Sequence, residues 1–164
     1  MNCTKRYVIS IFILIALVCA AAAQEQGYRP LTGKFIKDTQ RYGLGELTII
    51  NDNSQKDALI VITDLNQKPL MEVFIRSKET FKISGITDGK YNIYFRVGNS
   101  WDRDNSKFLE DEVRYKLDRP LEFETEETWD GTSYSIWMIA LEEAVPDANQ
   151  AMEKILVAEE DFPS

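Results

Sequence analysis

The chain contains no histidine, and its only cysteines, Cys3 and Cys19, both fall within the first 23 residues. Without imidazole it lacks the side chain that titrates near neutral pH, and with it the commonest zinc and copper ligand. Ser/His and Cys/His nucleophilic machinery is therefore excluded. Carboxylates remain: two Asp or Glu held several ångströms apart across a cleft can hydrolyse a glycosidic bond. With 27 acidic side chains any pair can be nominated, but a domain of this size leaves little room for a deep cleft beside its own core. A carboxylate-dependent hydrolase thus ranks third among the readings, and no residue takes a catalytic role.

Asp102, Arg103, Asp104, Asn105 and Ser106 offer hard oxygen ligands in sequence. They begin like an EF-hand loop, but the glycine needed at the sixth position is Lys107 and the acid needed at the twelfth is Val113. That motif fails. Asp102 and Asp104 stand as the centre of a looser candidate calcium site, with Glu110, Asp111 or Glu112 as further donors, against the simpler reading of a solvated charged loop.

Four aromatic residues are candidate contacts for a ligand or partner. Trp101 and Trp129 fall in expected loops, while Trp137 and Tyr94 fall on strand positions that can face away from the main core. Exposed aromatics stack on sugar rings or anchor a protein partner. The competing reading is that each closes an end of the core, because large aromatic side chains are mostly buried.

The elements that must position these residues follow an expected export signal. Lys5 and Arg6, the apolar block Tyr7 to Cys19 and the small run Ala20 to Ala23 have the three parts of a cleavable secretory signal. An apolar core of roughly a dozen residues is too short to span a hydrocarbon layer of ~30 Å. Cleavage is expected near Ala23, leaving no transmembrane span and a secreted, periplasmic or cell-surface protein. Bulky Val18 before Cys19 disfavours lipid anchoring. Loss of Lys5 and Arg6 leaves 17 basic against 27 acidic side chains and moves the net charge from −8 to −10. Such a surface argues against nucleic acid and anionic membrane as partners. The mature chain has no cysteine for disulfides, but about 140 residues bury a sufficient single core.

Residues 24–44 carry glycines and Pro30 without a clean period, and read as an arm or linker. From Gly45 the pattern is that of strands. Leu47 and Ile49 alternate with polar residues before a turn at residues 51–54, and Asp57 to Thr63 is apolar on both faces, as in a central strand. Leu70 to Arg76 and Phe81 to Ile83 resume period two. Asp88 and Gly89 turn the chain before Lys90 to Val97, where Tyr91, Ile93, Phe95 and Val97 share one side and Asn92, Tyr94 and Arg96 the other. Gly98 to Asp111 is polar and reads as a long loop. Leu121 to Phe123 and Ser133 to Leu141 give further strands. The last is apolar on both faces, which a C-terminal helix from Asp147 to Val157, carrying Met152, Ile155 and Leu156, would explain by covering it.

The segment Thr80 to Gly98, TFKISGITDGKYNIYFRVG, resembles the second half of carboxypeptidase regulatory-like, or prealbumin-like, β-sandwich modules, with Phe81, Ile83, Gly89 and Tyr91 at the matching places. The usual upstream half of such modules is not clearly present. The resemblance implies a non-catalytic accessory module and supplies no functional residue.

The expectation is thus an all-β protein, an antiparallel β-sandwich of about seven strands over residues 45–141 followed by a short acidic C-terminal helix or tail over 142–164. The expected role is that of an exported, non-enzymatic binding or structural module for a protein or envelope component. The alternative is a carbohydrate-binding module that stacks glycan on Trp101, Trp129, Trp137 or Tyr94.

Overall fold

The computed structural model describes residues 28–141 and 153–163. These fold as two packed β-sheets and a separate two-stranded sheet, with no helix among the described residues. The expected signal over 1–23, and residues 147–152 of the expected helix, lie outside them.

The larger sheet is built on β3 (Asp57–Thr63), buried at every position, as its two-sided apolar sequence requires. On one side it pairs antiparallel with β4 (Pro69–Ile75), which pairs in turn with β1 (Lys34–Lys37). On its other side lies β6 (Gly89–Asp102), followed by β7 (Lys107–Leu117) and β12 (Lys154–Leu156). β8 (Leu121–Phe123) pairs with the start of β6. The smaller sheet has the order β11 (Ile136–Ala140), β2 (Gly45–Ile50), β5 (Thr80–Ile86). Leu47, Ile49, Ile83 and Ile139 from the smaller sheet pack on Ile60, Ile62, Val73, Phe95 and their neighbours from the larger, forming the main core. The all-β sandwich expected from the pattern is therefore the fold.

Several local expectations change. The sandwich begins before Gly45, within the expected arm or linker. β1 extends the sheet edge, and Arg76 donates from Nε to the Pro30 carbonyl at 2.7 Å. Arg29 holds the Asp57 carboxylate through bonds of 2.7 and 2.6 Å. β5 and β6 belong to different sheets, and the turn at Asp88 carries the chain across the sandwich. β11 runs parallel to β2. A parallel pair needs a long crossover, and here all of β3 to β10 lies between the two strands.

The expected strand from Ser133 to Leu141 divides at Ser135. Its first part, β10 (Gly131–Tyr134), pairs with β9 (Thr125–Thr128) in a two-stranded hairpin whose tip is Trp129 and Asp130. At the base the two strands part. β8 goes to the larger sheet and β11 to the smaller, with the Ser135 N–H bonded to the Glu124 carbonyl at 3.1 Å where they separate.

The expected C-terminal helix is overturned where it can be seen. Lys154–Leu156 is a strand whose residues pair with Leu117, Lys116 and Tyr115 of β7. The spacing of Ile155 and Leu156 fitted a helix, but the open edge of β7 offers backbone hydrogen bonds that a short acidic helix does not match. Among the described residues no helix covers the outer face of β11, where Ile136 and Met138 are 62% and 53% exposed.

Candidate functional site

The four aromatic candidates do not form one platform. Trp101 and Tyr94 are buried, at 7% and 3% exposure, so the exposed stacking role considered for them is overturned. Both lie on the second face of the larger sheet, the side turned away from the smaller one. β3 is apolar on both faces, so this face also needs a cover. Leu59, Val61, Phe74 and Tyr94 form a second cluster there, closed by Trp101 and Phe108 from the end of the β6–β7 hairpin and by Phe162. Trp101 meets the ring of Phe74 edge-on at 5.1 Å and that of Phe108 at 5.1 Å. Trp137 sits at the parting of β8 and β11, half-buried against the main core, and its indole N–H donates to the Glu122 carbonyl at 2.9 Å. Trp129 alone of the four stands free: at the tip of the β9–β10 hairpin it is 97% exposed. Glu126, Glu127 and Asp130 are exposed around it.

The expected polar loop from Gly98 to Asp111 is mostly strand. β6 runs on to Asp102 and β7 starts at Lys107, leaving only residues 103–106 as a turn. The Asp102 carboxylate is taken up within that turn. It accepts from the Asp104 N–H at 3.0 Å, the Asn105 N–H at 3.3 Å and the Asn105 side-chain amide at 2.7 Å. The amide bond from Asn105 is the main reason its carboxyl titrates below the usual aspartate range. Asp104 is exposed on the same turn. Glu112, a further donor considered for calcium, points elsewhere. Among the described residues no three His, Cys, Asp or Glu side chains gather as a metal site would require.

Where Glu112 points is the feature that sequence reasoning missed. The pairing of β6 with β7 is irregular between Val97 and Asn99. Gly98 permits that bulge because a Cβ there would lie 2.6 Å from the Phe108 Cβ and 3.0 Å from the Glu110 carbonyl oxygen. Asp111 opposite has a left-handed φ of 51°. The bulge brings Glu112 beside the directly paired Arg96 and Arg114. Glu112 Oε2 accepts the Phe108 N–H at 2.6 Å. Its Oε1 lies 2.6 Å from Arg114 Nη2, a charge contact without hydrogen-bond geometry, and 3.8 Å from Arg96 Nη1. The side chains of Arg96, Arg114 and Glu112 are only 14%, 18% and 8% exposed.

The C-terminal segment closes over this cluster. Glu159 Oε2 is 3.4 Å from Arg114 Nη2, and Val157 donates its N–H to the Arg114 carbonyl at 3.0 Å. The Phe162 ring lies 4.4 Å beneath the Arg96 guanidinium and edge-on to Tyr94 at 5.6 Å. Burial lowers the pKa of Arg96, Glu112 acts against that, and Arg114 adds to it. Among the described residues, three donors buried on this face, Arg96 Nε, Arg114 Nε and Trp101 Nε1, find no hydrogen-bond partner. Beside the cluster an open groove of about 320 Å³ runs between the C-terminal segment and the sheet, lined by Tyr94, Lys116, Leu156 and Asp161 among others.

A signal for this cluster existed in the sequence. If β3 is apolar on both faces, Tyr94 and Arg96 on the neighbouring strand must share the second covered face and cannot point to water. What the pattern lacked was the cover itself, which comes from residues 101, 108 and 162, distant in sequence.

Fold and site together define an all-β sandwich with both faces of its larger sheet covered and one aromatic hairpin projecting from it. No family model, curated protein or solved structure matches the chain.

Proposed function

We propose that the protein is an exported, non-enzymatic β-sandwich module that docks a protein or envelope component through the β9–β10 hairpin. The observation that carries this reading is Trp129: a large aromatic side chain 97% exposed at the tip of a hairpin whose own residues bury almost nothing. Exposed indoles are over-represented as binding anchors because they bring large apolar area into a partner's pocket at little entropic cost. Glu126, Glu127 and Asp130 around it fit a pocket with a basic rim, since complementary charge steers encounter. The net charge of −8 accords with a partner that is neither nucleic acid nor an anionic membrane surface.

Cross-linking of the mature protein to a cell-envelope extract, in parallel with Trp129→Ala, tests the proposal. Loss of one specific protein with the variant supports it, and an unchanged cross-linking pattern overturns it. If oligosaccharides instead quench and blue-shift Trp129 emission, the carbohydrate reading replaces it, with a single stacking residue in place of the four considered from the sequence.

A further inference from the structure

We propose that the second face of the larger sheet is a binding site for an extended acidic peptide with an aromatic residue three positions after a glutamate, and that residues 153–163 occupy it in cis. The site does not depend on the Trp129 hairpin.

The chain's own segment shows which groups the face selects. A short strand pairs with the edge of β7 through three residues, which is how a peptide adds to an exposed sheet edge. Beyond it Glu159 reaches Arg114, and Phe162 enters the space between Tyr94 and Arg96, where it is 6% exposed. The receiving side carries Arg96, Arg114 and Lys116 against Glu112 and Glu72, and the entering side is acidic, with Glu159, Glu160 and Asp161. The Nε atoms of Arg96 and Arg114 are buried there without acceptors among the described residues. The cis segment therefore leaves donor capacity unused, which a better-matched carboxylate peptide would satisfy.

The strand of the segment is also lightly held. Ile155 and Leu156 are 43% and 71% exposed, so the ladder of β12 buries little. Lys154 Nζ bonds the Leu141 carbonyl and lies 3.4 Å from that of Ala140.

A cis occupant acts at an effective concentration on the order of 1 mM, and against an intrinsic Kd on the order of 100 μM it weakens a free peptide about tenfold. The probe is a fluorescent peptide with the sequence of residues 153–164, titrated by anisotropy into the full chain and into two released variants. One is Glu159→Gln with Phe162→Ala. The other, Leu156→Pro, breaks the β12 ladder and alters no residue of the receiving face. The expected result is at least tenfold tighter peptide binding by both variants than by the unaltered chain, abolished by adding Arg114→Ala and unaffected by Trp129→Ala. Urea midpoints show which variants are folded. Absence of peptide binding by a folded released variant overturns the proposal. A doubled sedimentation mass of the unaltered chain, reversed by the peptide, also overturns it, because the occupant is then the segment of a second copy.

Discussion

Replacing Glu112 with glutamine tests whether the charge cluster under the C-terminal segment is a buried one. The substitution preserves shape and keeps an acceptor for the Phe108 N–H, but removes the one carboxylate among the described residues that lies within 4 Å of both Arg96 and Arg114. Two guanidinium groups, each less than a fifth exposed, then face each other across paired strands with only Glu159 left beside Arg114. At an effective dielectric near 20, unit charges 4 Å apart interact by about 4 kcal/mol. Breaking a buried pair by removing one partner costs about 3–5 kcal/mol, because the survivor stays desolvated. With a urea slope of about 2 kcal/mol/M, a loss of about 4 kcal/mol lowers the midpoint by about 2 M, a large part of a typical total stability of about 5–15 kcal/mol. The assay is equilibrium urea unfolding followed by tryptophan emission, for which buried Trp101 is a local reporter. The companion variant, Glu112→Leu with Arg96→Met and Arg114→Met, removes all three charges and should stay within about 1 kcal/mol of the unaltered chain or exceed it. A change of under about 0.5 kcal/mol for Glu112→Gln would refute the reasoning, because the pair would then behave as a solvated surface bridge.

Three further outcomes follow from the geometry. Gly98→Ala places a methyl 2.6 Å from the Phe108 Cβ, and is expected to cost about 1–3 kcal/mol in a thermal melt; full stability would mean that the bulge does not set the strand register. Glu72 has its pKa raised, mainly by burial, so the folded state holds its proton more tightly than the unfolded one, and stability is lost as pH rises through the folded pKa. Glu72→Gln should therefore raise the urea midpoint at pH 7 and lose that advantage below the ordinary glutamate range, and an advantage that persists there counts against the assignment. Asp57 accepts two bonds from Arg29 and one from the Ser77 N–H at 2.8 Å, so Asp57→Asn is expected to cost about 2 kcal/mol, with faster proteolysis of residues 28–33 as the local readout.

Local patterning was enough to set the class of fold. Two-sided burial of β3, the alternation of Leu47 with Ile49 and the turn chemistry at residues 51–54 follow from period-two patterning, which acts over a few residues and survives any choice of partner. The absence of histidine likewise removed whole classes of chemistry. Tertiary structure decided what depends on contacts far apart in the chain. Residues 107–117 were not recognised as a strand, because β7 alternates charged groups that are buried only through Arg96 and the C-terminal segment. Ile155 and Leu156 fitted a helix until the edge of β7 gave their backbone a partner. Trp101 and Trp129 looked alike in sequence, each beside an aspartate in a polar stretch, and only the fold separates them. The β6–β7 hairpin reaches back across β3 to Phe74 and buries the first, while the β9–β10 hairpin meets no second layer among the described residues and leaves the other in water. Local propensity is encoded in neighbouring residues, but burial is a property of whichever distant surface arrives to exclude water.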